Sequence, residues 1–111
     1  MDEDLYHKLL PVFIAEAARK LDDIDTAILD LQRVPGDAGA LANLGRAAHT
    51  IKGNAAALGM RGMVVEAQRI EWWAMDAPPS LSRVAVATLN NARGELRRLL
   101  DEVTADAEAL Q

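Results

Sequence analysis

Apolar residues recur three and four positions apart along almost the whole chain, a periodicity that restricts it to long amphipathic helices. Leu10, Ile14, Ala17, Leu21, Ile24, Ile28 and Leu31 draw one stripe, which predicts a first helix from about Asp4 to Gln32. Leu41, Leu44, Ala48, Ile51, Ala55 and Leu58 draw a second, and Met63, Ala67, Ile70 and Ala74 a third, over about Arg61 to Met75. A fourth, on Leu81, Ala85, Leu89, Ala92, Leu96, Leu99 and Val103, reaches about Ala107. Between the stripes stand Pro35-Gly36-Asp37, then Gly59, then Asp76-Ala77-Pro78-Pro79-Ser80, with Asp37 and Ser80 placed to cap the helices that follow. Short links between long helices make neighbours antiparallel, so the expected fold is all-α, an antiparallel up-down four-helix bundle. An interior proline removes a helical hydrogen bond and bends the axis, so Pro11 predicts a short leading helix or a kink at the N-terminal end.

Composition narrows the chemistry. The 111 residues suffice for one core and predict a single domain over 1–111. Half the residues are hydrophobic but Phe and Tyr occur once each, so that core must be mainly aliphatic. The absence of cysteine excludes a disulfide framework, a thiolate metal site and a thiol nucleophile. No apolar run approaches the ~20 residues of a membrane span, and the acidic N-terminus is unlike a signal peptide, so a cytoplasmic protein without a membrane partner is expected. A net charge of −5 argues against nucleic acid, whose phosphates need clustered cations. A di-iron bundle would need inward Glu-x-x-His pairs, and none is present. His7, the only other histidine, reads as a solvated surface residue. With no phosphate-binding loop or hydrolase motif either, no metal, cofactor or independent ATP-dependent catalysis is expected.

One histidine stands apart. At about 100° per residue, His49 lies well off the apolar stripe of its helix and faces solvent. Its own face carries Ala42, Gly45, Lys52, Gly53 and Ala56, which are small residues and one cation. Glycine inside a helix is worse than alanine by roughly 0.8–1.0 kcal/mol, and this helix carries both Gly45 and Gly53. Gly53, one turn on, clears the approach to the ring, and Lys52 can bring a point charge suited to phosphate into the same space. A nucleophilic imidazole on a cleared surface is the reading these residues favour.

The run His-x-Ile-Lys-Gly-x-Ala-x-x-Leu-Gly, filled by His49, Ile51, Lys52, Gly53, Ala55, Leu58 and Gly59, resembles the signature of the histidine-containing phosphotransfer (HPt) domain. The preceding Arg46-Ala47-Ala48 and the upstream Phe13-Ile14-Ala15-Glu16-Ala17 are similar to the branch found in chemotaxis-type histidine kinases. The resemblance implies a helical bundle whose exposed histidine carries a phosphoryl group to or from receiver-domain aspartates, or takes it from a sensor histidine kinase. It departs from the family pattern at Asn54, where serine, alanine or glycine is usual, and at Gly45, where a larger residue is common. In the chemotaxis branch a histidine and a glutamate three residues apart on the next helix support the acceptor. Those positions hold Gln68 and Glu71 here.

An ordinary imidazole, with a pKa of about 6.5, is mostly neutral near pH 7 and can attack phosphorus. His49 Nε2 is expected to attack while Nδ1–H donates to Glu71, with Gln68 a further candidate support and Lys52 near the phosphoryl oxygens. Partner contacts are expected from Gly45, Arg46, Gly53 and Ala56. Adjacent Trp72 and Trp73 point about 100° apart, so Trp73 belongs nearer the core and Trp72 at an interface. The acidic run Asp22-Asp23-Ile24-Asp25 reads as solvated helix surface. A monomeric phosphocarrier is the preferred reading, and the end of the chain at Gln111 without a linker favours a free-standing relay protein. The same residues fit a phosphoacceptor domain excised from a larger kinase. A competing class is a non-phosphorylated helical binding or dimerisation scaffold.

Overall fold

The computed structural model describes residues 1–76 and 83–110, so the expected break at Pro78-Pro79, the cap at Ser80 and the stripe position Leu81 lie outside the described residues. Four helices follow one another: α1 (Glu3–Arg33), α2 (Ala38–Ala57), α3 (Arg61–Asp76) and α4 (Arg83–Ala109). They form an antiparallel bundle in which each packs against its chain neighbours and α4 closes back on α1. The result is a rod of 46 × 20 × 18 Å. No described helix is long and apolar enough to cross a membrane.

The helix ends follow from local chemistry. The Asp2 side chain accepts from the Asp4 amide at 2.9 Å, and Glu3 and Asp4 place negative charge at the positive end of the α1 dipole. Asp37 caps α2 as its sequence position predicts, its Oδ1 accepting from the Ala40 amide at 3.1 Å. The turn before it runs through Gly36, whose φ of 83° is a conformation that glycine adopts without strain. At Pro11 α1 continues through the proline without a break, so the separate short leading helix does not form.

Each helix has two neighbours, so it buries more than a single narrow stripe. Leu21, Ile24, Leu31, Leu44, Ile51, Ile70, Leu89 and Leu96 are buried to within 1% of completely, as their periodicity requires. Phe13, Ala27, Ala40 and Ala47 are buried beside them, whereas Leu41 and Leu58 are only half-buried at the edges. Burial of one such leucine or isoleucine contributes about 1.5–3 kcal/mol. No polar side chain is buried among the described residues. The acidic run on α1 is not simply solvated: Arg93 of α4 meets Asp25 at 3.3 Å, and Arg97 lies 3.5 Å from Asp22. Such partly exposed pairs add little stability, but they orient α4 against α1.

Candidate functional site

A tight turn sets the geometry of the site. The Met60 amide donates to Ala55 O at 2.9 Å and the Gly59 amide to Ala56 O at 3.1 Å, the paired bonds that end a helix through a left-handed residue. Gly59 takes that conformation, with φ 73°, and α3 begins two residues later at Arg61. The chain therefore returns directly alongside α2, and Glu71 comes level with His49.

His49 projects outward with 69% of its side chain exposed, while Glu71 between the helices is only 14% exposed. His49 Nδ1 is hydrogen-bonded to Glu71 Oε2, and Lys52 Nζ donates to Glu71 Oε1, so one carboxylate bridges both side chains of α2. Desolvation pushes the Glu71 pKa up, but the hydrogen bonds and charges of Lys52 and His49 outweigh it and hold the carboxyl below its ordinary 4.5. An ionised carboxylate can only accept, so Nδ1 must carry the shared hydrogen. In the neutral ring Nε2 then holds the lone pair, and it has no hydrogen-bond partner among the described residues.

The surroundings are as bare as the sequence suggests. Gly53, Ala56 and Ala42 are exposed, and a Cβ added at Gly53 would meet nothing within 4 Å. Gly45 is half-buried, and a Cβ there would stand 3.6 Å from Ala74 Cβ, an ordinary contact. Helix packing thus requires neither glycine. Arg46 is exposed and donates to Asn43 Oδ1. On the α3 side of His49 an open groove of about 520 Å³ is lined by Leu41, Gly45, Ala74 and Met75, with Arg46, His49 and Glu71 along it.

Gln68 is exposed on α3 and makes no hydrogen bond to the ring, so the structure brings Glu71 to His49 without it. Trp72 is 65% exposed, and Trp73 is half-buried against the core, as their angular separation requires. His7 is exposed on α1 with its ring 5.9 Å from that of Tyr6. The described residues contain no cluster of three or more acidic, histidine or cysteine side chains placed to hold a metal. The contact that sequence reasoning did not anticipate is the one between Lys52 and Glu71. Lys52 is expected near the phosphoryl oxygens, and its long side chain on the α3 side of α2 is also within reach of the Glu71 carboxylate.

An exposed histidine, a lysine three residues on and a glycine one turn on occupy the second helix of a four-helix bundle, and residues 8–109 match the Hpt domain. The chain belongs to the Hpt domain family. No curated protein and no solved structure matches it. Hpt domains are generally phosphocarriers without catalytic activity of their own, and they interact with receiver and kinase domains. The bundle described above is the all-α fold that this Hpt membership requires.

Proposed function

We propose that this protein is a cytoplasmic phosphocarrier that accepts a phosphoryl group on His49 Nε2 and exchanges it with the aspartate of a receiver domain. The observation that carries the reading is the ionised Glu71 carboxylate on Nδ1, because it leaves Nε2 unprotonated and exposed whenever the ring is neutral. In the forward step the Nε2 lone pair attacks phosphorus of an aspartyl phosphate. The nitrogen–phosphorus bond forms, the bond to the aspartate oxygen breaks, and the aspartate departs as a carboxylate. The ring becomes a cation that keeps its Nδ1 hydrogen, and Glu71 offsets the new positive charge. The reverse step regenerates neutral imidazole and returns the phosphoryl group.

Each neighbour has a part in this scheme. Glu71 positions the ring, and Lys52 holds Glu71 ionised while standing close enough to meet a phosphoryl oxygen. Gly53 and Ala56 leave α2 low beside the ring, so a partner's active site can close over it. Arg46 and Trp72 supply a cation and an exposed aromatic to the rim, with Gln68 on the adjoining exposed surface of α3.

The test is phosphoryl transfer from radiolabelled, phosphorylated receiver domains and sensor kinases of the same organism to the wild type and to His49→Gln. Acid-labile, base-stable label on the wild type alone is the expected result. His49 is largely exposed, so the variant should keep its helical signal and lose no more than the roughly 0.5–1.5 kcal/mol that goes with the hydrogen bond to Glu71. A wild type that takes no label from any donor would instead favour a binding scaffold.

A further inference from the structure

The side of α3 turned away from the bundle is apolar toward its middle and charged at its ends. At about 100° per residue, Arg61, Val65, Trp72 and Asp76 fall within about 60° of one another, opposite the buried Met63, Ala67 and Ile70. All four are exposed, Val65 by 48% and Trp72 by 65%. Among the described residues α3 packs only against α2 and α4, so no other helix covers this line. Arg61 and Asp76 lie about 22 Å apart along the axis, and neither has an ion-pair partner among the described residues. The order of these side chains is symmetric. Arg61 and Asp76 stand at equal distances from the midpoint between Gln68 and Arg69, and so do Val65 and Trp72.

We infer that this face is a self-association surface, on which the α3 helices of two copies of the chain pair antiparallel about that midpoint. A two-fold interface is reciprocal: where one residue meets a second, the second meets the first. In this register Arg61 meets the partner's Asp76 at each end, and Val65 meets the partner's Trp72 on each side of the centre. An unrelated partner would impose no such symmetric order. Arg69, the other charge near the centre, is held by Glu66 at 3.5 Å. Two helices of 16 residues make a small interface, so the pair is a weak, exchanging dimer in place of the monomer expected from the sequence. Trp72 follows Glu71 directly, so pairing withdraws it from any other partner at the rim of the His49 site. The inference concerns contact alone and holds or fails independently of the phosphocarrier reading.

Charge reversal tests the register. Sedimentation equilibrium at low salt, where exposed charges are least screened, should show the 12.0 kDa chain passing from monomer to dimer as its concentration rises. Arg61→Glu and Asp76→Arg should each raise the dimer dissociation constant by roughly 3- to 30-fold, because each turns both symmetry-related pairs into repulsions. The variant carrying both substitutions restores opposite charges and should return the constant close to the wild-type value. Trp72→Glu, at a side chain exposed enough to leave the bundle folded, should weaken pairing by at least ~10-fold with the helical signal unchanged. A wild type that stays monomeric up to about 1 mM would overturn the inference. So would a double variant that pairs no better than the single ones, or a Trp72→Glu protein that pairs as tightly as the wild type.

Discussion

His49 on α2 and Glu71 on α3 stand 22 positions apart in sequence, yet they share one hydrogen between Nδ1 and Oε2. The bond links a largely exposed ring to a largely buried carboxylate, so the solvent-facing reactive group is aimed by one that solvent barely reaches. Orientation and tautomer come from the same contact, which needs a carboxylate that stays ionised. Lys52 supplies that condition from the same helix as the histidine.

Glu71→Gln tests the contact directly. The amide nearly preserves shape but removes the charge, and it can rotate to present either a donor or an acceptor to the ring. Hydrogen bonds to charged groups are worth about 1.5–3 kcal/mol, so phosphorylation of His49 should slow by roughly 10- to 100-fold. Nitrogen NMR of the imidazole should show the wild-type preference for Nδ1–H relaxing toward the mixed tautomers of a free ring. Unchanged tautomer populations would count against Glu71 as the positioning residue.

The depressed Glu71 pKa also makes a statement about acid stability. Its folded value lies below the ordinary 4.5, so between the two values the unfolded chain binds more protons at this site than the folded one. The contribution is therefore fully present above about 4.5 and is lost as pH falls through the folded value. Urea unfolding at a series of acidic pH values should show Glu71→Gln with a shallower loss of stability over that window. Parallel acid limbs for the two proteins would show that the shift carries no stability.

Pro11→Ala should stabilise the bundle. Pro11 lies exposed inside α1, where it lacks the amide hydrogen that would bond the carbonyl one turn back. An interior proline costs about 3 kcal/mol, partly offset by its stiffening of the unfolded chain, so a net gain of roughly 1–3 kcal/mol is expected. Urea denaturation measures it, and slower amide exchange across the first turns of α1 would locate it. Phosphoryl transfer should not change.

Most of the fold was legible in the sequence because its helices are long and their stripes regular. The first three ran within a residue or so of their expected ends, since Asp37 and Gly59 are chemical stops whose effect is local. The burial of Ala40 and Ala47 was not legible. Alanines beside a stripe become core only when a second neighbouring helix covers them, and one helix's periodicity does not report its neighbours. The same limit applies at the site. His49 could be placed on a bare face from its own helix, and Glu71 came from family resemblance. The grip of Lys52 on Glu71 depends on how closely α3 returns to α2, which follows from packing rather than from spacing. Continuity through Pro11 was equally a matter of context, settled by the burial of Leu10 and Phe13 on either side of it.

The turn at Leu58-Gly59-Met60 acts as a gauge. Because α3 starts immediately after it, the alignment of Glu71 with His49 is fixed by counting residues along two rigid arms. One residue inserted after Gly59 would break the paired bonds that the Gly59 and Met60 amides make to the end of α2, and with them the tight return that sets the carboxylate against the ring. Substitution can therefore vary the surface of these two helices widely, whereas a change in length between them acts on the turn that aligns the pair. The hairpin they form should be inherited, grafted or lost as one piece.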